Sequence, residues 1–378
     1  MDGVATRSNG YNLRLHGSGT WRDTHQGDGE GHDRHRAAVV LPALLALLLP
    51  GCGEQPSEAR FENYLQRLGR TLGVTAPESA TEYPPRPPRP GQLRLDVPPG
   101  KLGTLDFLAL RGCAVQVTVA RRNSSLGLMA RDSQRLLLEL EYLRLAPACV
   151  ERLRARGREP LARKLELAWR DKQRRLPALI FNATLASDEY RAFWSVARAP
   201  GDYPRVTGSL TTAALEANSE RVRRWLDGDY RADGREFELH LGEVAGGDGG
   251  ALLVALSRQA QWLSRADAML DRRMERGPLC ANAIRHRAAD ILPNVIRKFF
   301  VGEIQPRAAV LNRRRYELLP PIVALEAQLD AVLPPAYRQW MIARNRLIEN
   351  AGAAPRRHVE NLQRILAPCG DARRAIAE

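Results

Sequence analysis

The chain has 378 residues, of which 44% are hydrophobic and 26% are charged, so it is long and apolar enough to bury a core, and disorder is excluded as a description of the whole. Its net charge of +14 means that a partner selected by charge should be anionic, such as nucleic acid, lipid headgroups or an acidic polymer. Nearly all of this charge is arginine, because lysine occurs only at positions 101, 164, 172 and 298, and arginine enrichment is also typical of GC-rich genomes.

The first 51 residues are interpreted as a leader. Met1 to Asp33 has no apolar periodicity and is explained by an overlong start of the reading frame. Arg34-His35-Arg36 then forms a basic segment in front of an apolar run from Ala37 to Leu49. That run is shorter than the roughly 20 residues that cross a bilayer, and its arrangement is typical of a signal peptide.

The end of this apolar run predicts a lipid attachment site. Leu49-Pro50-Gly51-Cys52 resembles the bacterial lipobox, although Pro50 departs from the usual small or β-branched residue, and a polar tether follows from Gly53 to Ser57. We therefore predict that Cys52 is lipidated and begins the mature protein. Gly53 in place of Asp implies delivery to the outer membrane in a Gram-negative host. The alternative is a short buried helix that ends at Pro50-Gly51, with Cys52 as an ordinary core residue.

Four cysteines remain once Cys52 is assigned to lipid, namely Cys113, Cys149, Cys280 and Cys369. An even number in an exported chain indicates two disulfides. The simplest of the three pairings joins the first two and the last two, because each bridge then closes one half of the chain. The alternative is four buried thiols. No metal site is expected, because no two of these cysteines have zinc-finger spacing.

Apolar residues after the tether recur mostly at three- and four-residue intervals, which predicts helices. Pro147 is expected to break one helix and Pro177 to end another, and the paired prolines near residues 320 and 334 are expected at breaks or first turns. The predicted helices are about Glu58–Leu72, Ser133–Leu145, Pro160–Arg175, Ala251–Arg276, Ala281–Phe300, Pro306–Leu319, Ile322–Leu333, Pro335–Asn350 and Val359–Leu366.

Other segments are predicted to be extended. Pro77 to Gly100 is rich in proline and is interpreted as a stiff strap, with a short strand at Gln92–Val97. Phe237, Leu239 and Leu241 alternate like a strand, and the glycine-rich loop Gly246–Gly250 suggests a boundary. We predict a mainly α, irregular multi-helix bundle with at most a few short strands. Its predicted parts are the leader 1–51, the tether, first helix and strap 52–103, and helical subdomains 104–245 and 246–378.

One polar segment is the strongest candidate for a binding site. Arg121 to Gly127 contains no acidic residue, and Arg122, Asn123, Ser124 and Ser125 come together where a helix breaks, which suggests an anion pocket. The alternative is helix capping by Asn123 or Ser124, with Gly127 at the bend.

The remaining motifs are weak. His240, His286 and His358 are far apart in sequence, and Gly246–Gly250 lacks the lysine of a phosphate-binding loop. Aromatic residues make up only 6% of the chain. This scarcity argues against binding of single-stranded nucleic acid, as does the predicted export.

Several local patterns together resemble a family of predicted proteobacterial lipoproteins known as the domain of unknown function 3080 (DUF3080). The resemblance extends over essentially all of the chain after Cys52. It implies an envelope lipoprotein, and it supplies no activity and no catalytic residue. The segments that carry it are Leu105–Leu108, Arg111–Cys113, Arg122–Gly127, Ser133–Leu136, Ala146–Cys149 and Phe181–Leu185.

These observations favour a non-enzymatic envelope lipoprotein, anchored in the membrane through Cys52 and facing the periplasm. It would bind anionic envelope components or another envelope protein, without nucleic acid and without a cofactor. One alternative is an envelope-acting hydrolase with a polar pocket near Asn123 to Ser125, which would require a nearby histidine. Another is a small-molecule carrier, which would require an apolar cavity.

Overall fold

The computed structural model describes residues 56–78, 83–98, 104–195, 202–204, 207–282 and 284–370. The predicted leader and Cys52 lie outside these residues. The described chain is mainly α-helical, with one two-stranded antiparallel sheet, so the predicted fold class is confirmed. Residues from Gln55 onward group into one compact unit. No helix in the described ranges is long and apolar enough to cross a membrane.

The elements follow one another with short connections. The first part of the chain forms α1 (Ser57–Leu72), α2 (Pro90–Leu93), α3 (Thr104–Ala109), α4 (Val115–Asn123), α5 (Ser125–Leu128), α6 (Asp132–Ala155), α7 (Glu159–Ala183) and α8 (Asp188–Phe193). The second part forms α9 (Ser209–Leu226), α10 (Gly234–Ala245), α11 (Gly249–Met274), β1 (Cys280–Ala281), β2 (Ile284–Arg285), α12 (Arg287–Val295), a π-helix (Ile296–Ile304), α13 (Gln305–Gln328) and α14 (Pro335–Leu366), with 3-10 turns at Asp330–Val332 and Ala367–Cys369.

The first helix shows how the spacing of apolar residues produces an element. Five side chains of α1 recur at three- and four-residue intervals and are buried on one face: Phe61, Tyr64, Leu65, Leu68 and Leu72. Gly73 ends the helix in the left-handed region, at φ 69°, and its N–H donates to the carbonyl of Gly69. The buried face packs against α11, α12 and the π-helix.

Four long helices continue through prolines that were expected to interrupt them. Pro147 lies inside α6, Pro177 inside α7, Pro320 and Pro321 inside α13, and Pro355 inside α14. An internal proline removes a helix hydrogen bond and costs about 3 kcal/mol. The apolar stripe is buried on both sides of each proline, as at Leu143 and Val150 around Pro147, and tertiary packing offsets the local cost.

Neither predicted strand forms. Pro90 starts the short helix α2, and Leu95 donates its N–H to Asn182 and accepts from the same side-chain amide, at 2.9 and 2.8 Å. One amide of α7 thus takes the place of a strand partner. At the second site Asp233 caps α10, accepting from the N–H of Glu236. Phe237, Leu241 and Val244 are buried at helical spacing, whereas Leu239 is exposed.

Three hydrophobic clusters make up the core. The largest contains Leu136 and Trp225 as well as Leu252 and Trp340, and therefore takes residues from both sides of the predicted boundary at 245 and 246. The division into two subdomains stays a prediction. The second cluster joins α1 to α11, the π-helix and α14, and the third packs α3 and α4 against α6 and α7.

Two disulfides close the ends of this core. Cys113 bonds to Cys149 and Cys280 bonds to Cys369, across 36 and 89 residues of sequence. The first bridge lies in the third cluster and ties the start of α4 to α6. The second ties the small sheet to the last turn after α14. This is the pairing in which each bridge staples one half of the chain.

Candidate functional site

The predicted polar segment divides between local structure and a cleft. Ser124 caps α5, because its hydroxyl accepts from the N–H of Gly127 at 3.1 Å and donates to the carbonyl of Arg121 at 2.7 Å. A Cβ at Gly127 would lie 2.2 Å from that same carbonyl oxygen, so only glycine fits there. Ser124 therefore has the capping role that was the alternative to anion binding.

Arg122 and Asn123 line a cleft of about 620 Å³, which we call the strap cleft. One wall is the strap segment from Gly91 to Pro98, and the other walls come from α4 to α7. Five cationic side chains and four carboxylates line it: Arg94, Arg122, Arg135, Lys172 and Arg175, with Asp96, Asp132, Glu139 and Asp171.

The floor of the strap cleft has two cations on one carboxylate. The Nε of Arg122 lies 2.5 Å from one oxygen of Glu139, and the ammonium of Lys172 donates to the other. Glu139 is 4% exposed and Lys172 is 9% exposed. Burial lowers the pKa of Lys172 below its ordinary value, and Arg122 lowers it further, although Glu139 acts in the opposite direction. The floor therefore has positive charge that its own carboxylate does not balance.

The rim of the cleft is paired more evenly. Arg94 bridges to Asp132 at 2.9 Å, and Arg175 bridges to Asp171 at 2.8 Å while it also donates to the carbonyl of Pro98 at 2.7 Å. Together with Asn182, which binds the backbone of Leu95, these contacts hold the strap in place. The unbalanced charge is thus concentrated at the floor, where an anionic group would meet both Arg122 and Lys172.

Sequence reasoning found Arg122 and missed Glu139 and Lys172. Both lie in helices among apolar residues at helical spacing: Glu139 follows Leu136, and Lys172 precedes Leu176. A charged residue on the buried face of a helix needs a partner. This pattern is the signal that would have marked them, although it does not say that they face each other.

A second cleft, of about 500 Å³, lies beside the start of α1. Phe61 and Trp262 stack in its wall, with ring centroids 6.0 Å apart, and Gly302 and Glu303 of the π-helix contribute to it. Asp202 accepts from the backbone N–H of Ser57 at its rim. The carrier alternative would use a cleft of this kind, with apolar walls and a polar rim.

The three histidines have separate roles. Nε2 of His358 lies 2.7 Å from the hydroxyl of Tyr64, and Nδ1 lies 2.6 Å from a carboxylate oxygen of Asp267, with His358 and Tyr64 fully buried. His240 contacts Arg221, and His286 caps α12. The polar contacts of these histidines thus lie away from the polar segment at Arg122 to Ser125. In the described chain they do not form the serine–histidine pair that a hydrolase would need.

The glycine-rich loop at residues 246–250 is explained by packing. A Cβ at Gly249 would lie 2.3 Å from the ring of Phe193, and one at Gly250 would lie 2.1 Å from the carbonyl oxygen of Ser195. Asp248 is bound by Arg314 at 2.6 Å. Among the residues that the structure describes, no group of three or more His, Cys, Asp or Glu side chains is placed to hold a metal ion.

These features define a class: an all-α protein closed by two disulfides, with a charged cleft under a strap. Residues 61–372 match the family described as "Protein of unknown function (DUF3080)", and the chain belongs to that family. The family resemblance seen in the sequence is therefore confirmed. No curated protein and no solved structure is detectably similar to the chain.

Proposed function

We propose that the protein is a non-enzymatic binding protein of the bacterial cell envelope, held at the outer membrane by a lipid on Cys52 and facing the periplasm. In this proposal the strap cleft binds an anionic group of an envelope component. The two disulfides support an oxidising compartment. The start of α1 at Ser57 supports a short link to the anchor.

The observation that carries the binding proposal is the sharing of Glu139 by Arg122 and Lys172. A carboxylate that is nearly buried between two cations neutralises only one of them. A ligand phosphate or carboxylate would supply the second negative charge, with charge-assisted hydrogen bonds from both side chains. The other cations of the cleft hold the strap and do not need to move when the ligand binds.

Binding of inorganic phosphate, measured by calorimetry at low salt, tests this proposal. Arg122→Gln and Lys172→Met should each weaken binding by about ten-fold, the value expected for one charge-assisted hydrogen bond. Each single variant leaves Glu139 with one cation, so the fold should be retained. Binding should also weaken as salt is added.

The matched control is Arg170→Gln, which removes the same charge from an exposed position on the same helix, outside the cleft. It should change the affinity by less than about two-fold. If the native chain does not bind phosphate, or if the control loses as much affinity as the cleft variants, the proposed site is wrong.

A further inference from the structure

Beside the strap cleft, three large apolar side chains point into solvent. Leu126, Leu128 and Met129 are 84%, 66% and 86% exposed. They belong to the one-turn helix α5 and its C-cap, and α5 has no buried residue. We call these three residues the apolar tip. Most exposed leucines elsewhere in the described chain occur singly, as Leu210 and Leu239 do, whereas three in four positions form a patch.

The fold holds the apolar tip in this position. The cap by Ser124 and the close approach at Gly127 set the turn, and Arg135 donates to the carbonyl of Leu128 at 2.7 Å. The preceding helix α4 adds Val117, which is also exposed. The tip is therefore a supported projection of the structure, with its apolar groups turned away from the core.

The charge around the tip is positive. Between Phe107 and Arg131 the chain contains four arginines and no acidic residue. The nearest carboxylates along the chain are already paired, Asp132 with Arg94 and Glu141 with Arg121. An apolar projection with basic surroundings is suited to the boundary between anionic headgroups and acyl chains.

The tip and the strap cleft share a wall, because Gly127 and Leu128 line the cleft together with Arg122. We infer that the apolar tip inserts into a lipid bilayer and that the anionic group bound in the strap cleft is the headgroup of a membrane phospholipid. This inference rests on the proposed function, and it names the ligand class. A phospholipid is the ligand that carries an anionic group directly beside hydrocarbon. Three side chains are also too small an area for a stable protein interface.

A fluorescent label at the tip tests this inference. In the full chain with Cys52→Ser, Met129→Cys provides one reactive thiol, since the other four cysteines are in disulfides. An environment-sensitive label at position 129 should shift to the blue with vesicles of equal parts phosphatidylglycerol and phosphatidylcholine, and much less with phosphatidylcholine alone. Arg122→Gln should reduce the shift.

The matched control carries the label at Leu239→Cys, an apolar position on α10 that is 59% exposed. It should not shift, even if the leader brings the protein to the vesicle. Equal shifts at both positions, no shift at position 129, or a shift unaffected by Arg122→Gln would overturn the inference. Phosphate binding without a shift would leave the proposed function standing and remove only the lipid assignment.

Discussion

The most completely buried charge is Arg344, which is paired in every direction. Its guanidinium makes two hydrogen bonds of 2.8 Å to Glu326, and its Cζ lies 4.8 Å from the ring centroids of both Trp194 and Trp340. Tyr337 also donates to Glu326, at 2.7 Å. Burial, together with the negative charge of Glu326, raises the pKa of Tyr337 well above its ordinary value. This network joins α13 and α14 to the segment after α8.

Breaking the pair should be costly. Glu326→Gln or Arg344→Met leaves one buried charge without its partner, and each should lower the free energy of unfolding by about 3 to 5 kcal/mol. Arg364→Gln, which removes an exposed ion pair on the same helix, should cost less than about 1 kcal/mol. Urea unfolding of the three variants measures this, and equal losses would contradict it.

Little of this residue-scale detail is predictable from the sequence. Helices were expected near Glu326 and Arg344, but 18 residues and a turn separate the two side chains, and periodicity does not specify which charged residues meet. The same limit applies to Glu139 and Lys172, which are 33 residues apart. Arg122 was identified because it lies in a run without acidic residues, which is a property visible along the chain.

At the scale of elements, predictions from periodicity succeeded where packing and local preference agree. The first helix was expected at Glu58–Leu72 and forms at Ser57–Leu72, and Ser187 caps α8 as its sequence indicates. The predicted breaks at Pro147 and Pro177 were wrong, because buried residues on both sides keep the helix together. The strand at residues 237–241 was wrong because alternation over five residues also fits one face of a helix.

The docking of α1 depends on a carboxylate at its first residue. Asp202 accepts from the backbone N–H of Ser57 at 2.9 Å. Partial burial raises the pKa of Asp202, but the hydrogen bonds from Ser57 outweigh this and leave the pKa below its ordinary value of 3.8. A carboxyl group with a lowered pKa stabilises the fold above the unfolded value, and this contribution is lost as the pH falls through the folded value.

Asp202→Asn should therefore lower the free energy of unfolding by about 1 kcal/mol at pH 7, a value reduced for solvent exposure. The difference from the native chain should shrink well below pH 3.8, where Asp202 is protonated as well. Urea unfolding at both pH values measures the difference. A difference that does not change with pH would mean that charge has no part in the docking.

At the scale of the whole molecule, address and activity are predicted from different kinds of information. The leader and Cys52 form a linear motif, which can be interpreted without a fold and lies outside the described residues. The strap cleft is assembled from four helices and an extended segment, so it exists only after folding. The sequence therefore suggested a location in the cell before it suggested a site.

The anchor prediction has a direct test. Mass spectrometry of the protein purified from bacterial membranes should find a chain that begins at Cys52 and carries the added mass of acyl chains. Cys52→Ser should release the protein from the membrane fraction or leave its leader attached. An unmodified Cys52, or a mature chain that begins elsewhere, would refute the lipid anchor and with it the proposed attachment to the outer membrane.

The buried chain of Tyr64, His358 and Asp267 has a mechanical consequence. It links α1 to α14 and α11, one turn or more beyond the contact between Ser57 and Asp202. If the N-terminal side is tethered, any pull enters the protein through α1. The load would meet the contact at Ser57 first and then a fully buried polar link set in an apolar interface, so the helix would resist being peeled from the body when the envelope is stretched.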